Sequence, residues 1–271
     1  MLKYQVFYII SMVIFGYTLI INLVQYNPEW ENKEVNKEKI LRLIDNHRAA
    51  GSVLVFPELT LTAFTMKSDF YAEELDGDTF EFFSHIAMES NIDILAGLIE
   101  KESSSYYNTL IHIDASGQIK SKYRKIHPFS YSTENQHYQR GKSPVTTDIN
   151  DWKTGLSICY DLRFPELYRN YGKEHSELII VIANWPDTRI EHWKVLLRAR
   201  AIENQCYVAG VNRVGNDPKL NYNGFSCIYD PMGNEVASVS DIEQVVSADI
   251  SKDLINQTRQ KFPFLNDIYL F

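Results

Sequence analysis

The sequence predicts a mixed α/β layered fold. Two observations carry the prediction. Several short runs are apolar at every position, Ser52-Val53-Leu54-Val55-Phe56 and Leu178 to Ala183 above all, and such strands belong to sheets covered on both faces. Between them lie segments with apolar residues at helical spacing, which supply the covering layers. Hairpins interrupt this alternation, so the architecture is mixed.

In chain order, Thr18 to Gln25 reads as the first buried strand, ended by the turn Asn27-Pro28. Asn36 to Ala50 places Ile40, Leu41, Leu43 and Ile44 among charges and reads as a surface helix stopped by Gly51. The Ser52–Phe56 strand stops at Pro57-Glu58. Asp78 to Ser90 is a second amphipathic helix, with Phe80, Phe83 and Ile86 on one face, and Ile92 to Leu98 is a strand. Tyr106–Ile113 and Ile119–Tyr123 flank the turn Asp114-Ala115-Ser116-Gly117 as a hairpin. A polar loop runs from Lys125 to about Pro144. Leu156 to Cys159 is a strand, and Pro165 to Gly172 a helix. Leu178–Ala183 is a strand, Glu191–Asn204 a long helix and Cys206–Val211 a strand. Gly224–Tyr229 and Val236–Ser238 form a hairpin around Asp230-Pro231-Met232-Gly233.

The chain has 271 residues, 45% of them hydrophobic, enough for one large core. No linker, repeat or low-complexity stretch divides it, so residues 18–271 are expected to form one domain. A net charge of −8 without a basic tract excludes a nucleic-acid partner. The three cysteines, Cys159, Cys206 and Cys227, are widely spaced and odd in number, which argues against a disulfide scaffold and for a reducing, cytoplasmic setting. Seven histidines include no HExxH or zinc spacing, and no dinucleotide or phosphate-binding glycine motif occurs. No metal and no cofactor is expected.

Residues Val6 to Val24 are almost wholly apolar, which alone would admit a membrane span. Reading Thr18 to Gln25 as strand leaves Gln5 to Tyr17, too short to cross a bilayer. Residues 1–17 are therefore expected to be an apolar extension. A membrane tether and a translation start at Met12 remain its two alternative explanations.

Three reactive residues each end a β-type segment: Glu58, Lys125 and Cys159. Ligands of α/β sheets bind beyond the carboxyl ends of strands, so the fold would bring a carboxylate, an ammonium and a thiol to one rim. That set suits acyl transfer. The thiol attacks, and a carboxylate in a dry cleft takes its proton and later activates water. The ammonium steadies the oxyanion, with the backbone N–H of Tyr160 as a second donor. Each residue alone has a plainer explanation: Glu58 as a helix cap, Lys125 as a solvated charge, Cys159 as a small buried hydrophobe. A serine hydrolase is disfavoured because Gly155-Leu156-Ser157-Ile158-Cys159 lacks the closing glycine of GxSxG. A Cys-His protease with His127 or His192 as base lacks a local signature.

Val55-Phe56-Pro57-Glu58, Tyr123-Arg124-Lys125-Ile126-His127 and Cys159-Tyr160-Asp161-Leu162-Arg163-Phe164-Pro165-Glu166 resemble, in the same order, the three catalytic motifs of the nitrilase (carbon–nitrogen hydrolase) superfamily. Ala183-Asn184-Trp185-Pro186 and Arg198 to Gln205 match further, and the likeness covers roughly Leu19 to Phe271. The resemblance implies a four-layer αββα sandwich of two mixed sheets flanked by helices, a homodimer, and a thioester acyl-enzyme. It assigns Glu58 as base, Lys125 as oxyanion stabiliser, Cys159 as nucleophile and Glu134 as the residue that orients Lys125.

Asn184-Trp185-Pro186 with Arg259 to Asp267 is most similar to the bacterial omega-amidase-like branch, whose members cleave the terminal amide of 2-oxo acids such as 2-oxoglutaramate. That implies a small carboxylate mono-amide substrate. Its carboxylate needs a cation, for which Arg163 is the candidate, against an ion pair of Arg163 with Asp161 or Glu166. Phe129, Trp185 and Tyr160 are candidate pocket walls. A nitrilase, an N-carbamoyl hydrolase and a catalytically silent binding or assembly member are the competing readings.

Overall fold

The computed structural model describes residues 17–270. Its strands are β1 (Thr18–Gln25), β2 (Val53–Val55), β3 (Asp93–Glu102), β4 (Ser105–Ile113), β5 (Ile119–Arg124), β6 (Thr146–Ile149), β7 (Trp152–Ile158), β8 (Leu178–Ile182), β9 (Tyr207–Val211), β10 (Val214–Asn216), β11 (Asn221–Tyr229), β12 (Glu235–Ser240) and β13 (Gln244–Ser251). The longer helices are α1 (Lys33–Ile44), α2 (Asp78–Ser90), α3 (Pro165–Lys173), α4 (Ile190–Asn204) and α5 (Lys252–Lys261).

One sheet has the order β13-β1-β2-β3-β4-β5; the other runs β10-β11-β9-β8-β7-β6, with β12 also on β11. Both are mixed: β1-β2-β3 and β7-β8-β9 are parallel, their outer neighbours antiparallel. The alternation of side chains along a strand builds the layers. In β2, Val53 and Val55 join the core between the sheets, while Leu54 turns to Ile40, Ile44, Phe83 and Ile86 of α1 and α2. In β3, Leu95 points inward and Ile94, Ala96 and Leu98 outward in the same way. The second sheet is covered outside by Leu167, Tyr168 and Tyr171 of α3 and Trp193, Leu197 and Ala201 of α4. Two glycines permit that covering: a methyl group on Gly155 would meet the Tyr171 ring at 2.6 Å, and one on Gly210 would meet Leu197 at 2.5 Å. The result is the expected αββα sandwich.

Several boundaries differ from expectation. The first helix starts at Lys33, because the Asn32 side chain caps it by accepting from Val35 N, and it ends at Ile44. Gly51 does not stop that helix. It sits at φ +79 in the turn into β2, where its N–H donates to Asn91 O. The polar loop after Lys125 contains two single helical turns, Ser130–Ser132 and Glu134–His137. β6 was not expected, nor its two-residue hairpin: Asn150 and Asp151 both take positive φ, 46° and 67°, which Asn and Asp tolerate. β10, β13 and α5 were likewise unread. Apart from Tyr17, the expected apolar extension over 1–17 lies outside the described residues. Among the described residues, no helix is long and apolar enough to cross a membrane.

Candidate active site

Glu58 lies three residues beyond β2, Lys125 directly after β5, Cys159 directly after β7 and Asn184 two residues beyond β8. Four strand ends from two sheets thus converge on one rim, as the topology of α/β ligand sites requires. The Lys125 Nζ donates to Glu58 Oε1 at 2.7 Å and to Glu134 Oε1 and Oε2 at 3.0 and 2.9 Å. Asn108, in the middle of β4, donates through Nδ2 to the same two carboxylates at 2.7 and 2.9 Å. Glu134 opens a single helical turn whose preceding loop folds back, so that Phe129 N donates to its Oε2. Asn184 fixes the other side of Glu58: its N–H donates to Oε2 at 2.9 Å and its Nδ2 to the Glu58 carbonyl at 2.6 Å.

Cys159 stands where β7 breaks into a single 3₁₀ turn, Cys159–Arg163, and holds φ at +49. A positive φ on a non-glycine residue costs about 1–3 kcal/mol and is characteristic of strand-to-helix nucleophile turns. Its sulfur lies 4.0 Å from Asn184 O. The Tyr160 N–H lies in the first turn of that 3₁₀ segment, where the helix offers it no acceptor. Fully buried Asp161 ties the turn to the lysine loop. It accepts from Ile158 N and Tyr123 OH through Oδ2, and from His127 N through Oδ1, which also meets His127 Nδ1.

Dehydration sets the titration of this cluster. Burial pushes the Cys159 thiol well above its usual range, Glu58 pushes it further, and Lys125 opposes both. Burial acts to lower Lys125, but the charges of Glu134 and Glu58 outweigh it and hold the ammonium well above its ordinary value. Glu134 is raised by burial and by Glu58, with Lys125 working the other way.

A cavity of about 330 Å³ opens in front of the sulfur. Cys159, Tyr160, Arg163, Phe129, Trp185 and Asn184 line it, so each expected wall residue is on it. Glu58, Lys125 and Glu134 sit one layer deeper and almost wholly buried. Arg163 pairs with neither Asp161 nor Glu166; both of its terminal nitrogens lie 3.3 Å from His192 Nδ1. His127 stacks on Phe164 at 3.8 Å and bonds Asp161, and neither histidine is bonded to Cys159. Sequence reasoning missed Asn108, which no local motif distinguishes from the other polar residues of β4, Ser105, Thr109 and His112, and gave Asn184 no role although its motif was noted. Among the described residues, no group of acidic, histidine and cysteine side chains is arranged to hold a metal.

Two stacked sheets inside helical layers, with a thiol, an ammonium and two carboxylates at their common rim, are those of a hydrolytic α/β enzyme. The family model described as carbon-nitrogen hydrolase matches residues 20–260, and the chain belongs to that family. It is 32% identical over 250 residues to a 2-oxoglutaramate amidase of Bacillus subtilis (strain 168), covering 92% of this chain and 96% of that protein. It is 32% identical over 250 residues to omega-amidase YafV of Escherichia coli (strain K12), with 91% and 95% covered. Among solved structures it is similar to XC1258 of Xanthomonas campestris, a CN-hydrolase superfamily protein with an arsenic adduct in its active site. The TM-score is 0.89 at 31% identity, and 94% of this chain and 98% of that one are covered.

Proposed function

We propose that this enzyme hydrolyses the terminal amide of a small carboxylate mono-amide of the 2-oxoglutaramate type, releasing ammonia. The observation that carries the reading is the buried Lys125–Glu58–Glu134 cluster directly behind a cavity-lining thiol. Relatives named as 2-oxoglutaramate amidase and omega-amidase support the substrate class.

In this reading Cys159 Sγ attacks the amide carbon while its proton passes to Glu58. Lys125 has three N–H bonds. With one bifurcated across the two Glu134 oxygens and one on Glu58, the third is free for the substrate oxyanion, which also meets the Tyr160 N–H. Glu134 keeps Lys125 aimed. As the C–N bond breaks, Glu58 returns the proton to the leaving nitrogen and ammonia departs, leaving a thioester. Water, deprotonated by Glu58, then attacks the thioester, the acid leaves, and the thiolate recovers a proton. Arg163 holds the substrate's carboxylate, and Phe129, Tyr160 and Trp185 wall its carbon chain.

The test is ammonia release from 2-oxoglutaramate, succinamate, neutral amides, nitriles and N-carbamoyl acids, with mass spectrometry after a substrate pulse. The expected result is turnover of the anionic amides, with an acyl adduct on Cys159 only. Cys206, whose thiol burial pushes up to about 12, and Cys227 are fully buried and stay unmodified. Cys159→Ala should fold and not turn over; full activity in that variant refutes the mechanism. We also propose a cytoplasmic homodimer. Val195 and Ile202, seven residues apart on one face of α4, are 63% and 48% exposed and are suited to a subunit contact. Light scattering and cell fractionation check these two points.

A further inference from the structure

Five aromatic and cationic side chains, Phe129, Tyr160, Trp185, Arg163 and Arg189, form one part of the cavity lining, and their charges are unbalanced. Arg163 closes the 3₁₀ turn that begins at Cys159; Arg189 closes another, Asp187–Arg189, at the entry to α4. Both are half-buried and both line the cavity. The Arg163 guanidinium lies over the Trp185 ring at 4.8 Å and the Tyr160 ring at 5.9 Å; that of Arg189 lies over Phe129 at 5.5 Å. Phe129 and Tyr160 are themselves in contact, with centroids 4.8 Å apart. The aromatic walls thus fix two guanidinium groups on one space.

Neither arginine is in an ion pair with a carboxylate among the described residues. The cavity's own acids are already engaged. Glu31 accepts from Lys67 Nζ and Thr65 Oγ1, each at 2.6 Å. Asp217 accepts from Lys219 N, Leu220 N and Tyr222 OH. Burial and then the Arg189 charge hold Arg163 below its ordinary range, so the two guanidinium groups repel each other. A bound anion relieves that repulsion.

We infer that Arg189 is a specificity-determining residue which, with Arg163, forms a two-guanidinium clamp for the carboxylate at the end of the substrate remote from the scissile amide. The inference rests on the proposed amidase reading and extends it. One arginine can chelate a carboxylate through two oxygens; a second donates to the carboxylate's remaining lone pairs and makes the site reject neutral amides rather than merely accept charged ones.

The test compares kcat/KM for succinamate and for neutral butanamide in the wild-type enzyme, Arg189→Met and Arg189→Lys. Arg189→Met should lower the succinamate-to-butanamide ratio by about ten- to a hundredfold, chiefly through the KM for succinamate. Arg189→Lys should restore part of the ratio as a single point charge. The wild-type KM for succinamate should rise with added salt more steeply than that of Arg189→Met. A wild-type preference for succinamate that survives Arg189→Met unchanged overturns the inference alone. A wild-type enzyme with no such preference overturns the substrate reading and the clamp together.

Discussion

Gly97 in β3 is the point at which a single methyl group should disable the site without touching any reactive residue. A methyl there would lie 2.6 Å from Leu59 N, 3.1 Å from Glu58 Cα and 3.0 Å from Ile182 Cδ1. Ordinary contact begins at 3.4 Å, so the Leu59 backbone must retreat by the difference between 3.4 and 2.6 Å, about 0.8 Å. The segment has little slack. Thr60 N donates to Gly97 O at 2.9 Å, Gly97 N donates to Thr60 Oγ1 at 3.0 Å, and Leu59 is already at φ +47. Glu58 would be carried away from Lys125 and from Asn184 N, now 2.7 and 2.9 Å from its oxygens. A displacement of this size near reacting groups costs about a hundredfold in rate, or about 2.7 kcal/mol in the barrier. Overpacking costs about 1–3 kcal/mol of stability, a fall of about 2–12 °C in Tm for a chain of this size. Gly97→Ala should therefore keep its KM and lose about two orders of magnitude in kcat, read by ammonia release alongside calorimetry. Wild-type kcat per folded molecule in this variant would refute the idea that the approach of β3 sets the position of Glu58.

Two further outcomes follow from the electrostatics. The raised Cys159 pKa means that the thiol stays protonated at neutral pH and ionises only as pH climbs. Its alkylation by iodoacetamide, without substrate, should still be rising at pH values above the ordinary thiol value of about 8.5; a plateau near neutrality would show a thiolate paired with Lys125 instead. Lys125→Met strands two buried carboxylates, so it should abolish turnover and cost about 3–5 kcal/mol in denaturant unfolding. Changing Glu58 and Glu134 to Gln as well should recover most of that stability and none of the activity. A Lys125→Met protein as stable as wild type would contradict the charge balance.

The reactive trio was legible because each member ends a strand whose apolar run is visible in sequence, and because each carries local flanks that resemble those of one family. Glu134 was legible only through that likeness: nothing in Ser132-Thr133-Glu134-Asn135 announces a buried carboxylate, since its burial is created by the loop folding back to Phe129. Asn108 was hidden by its strand, where the surrounding pattern Thr109-Leu110-Ile111 signals pairing and not a site. β13 was hidden by its distance. Its partner is β1, more than two hundred residues earlier, and Gln244-Val245-Val246-Ser247 gains strand character from that pairing more than from its own composition. The wall formed by Asp217, Pro218, Leu220 and Tyr222 belongs to the local β10–β11 hairpin but lines the cavity together with Trp30, Phe64 and Phe129 from far along the chain, so the cavity's shape could not be read from any one segment.

The charge count favours the proposed chemical role of this cluster over a stabilising one. Two carboxylates face one ammonium, all three almost wholly buried, and a buried ion pair is a poor substitute for apolar packing. An arrangement kept for stability would balance its charges and leave no reactive group beside them. Here burial and then the surplus negative charge raise the cost of ionising the Cys159 thiol, so in the proposed mechanism the resting nucleophile is neutral and a carboxylate stands ready for its proton. In that mechanism ionisation is favoured only when a carbonyl carbon takes the sulfur's electrons and an oxyanion appears beside Lys125, where the ammonium's remaining N–H can meet it. The same dehydration that suppresses a free thiolate therefore restricts its formation to the moment a substrate is in place.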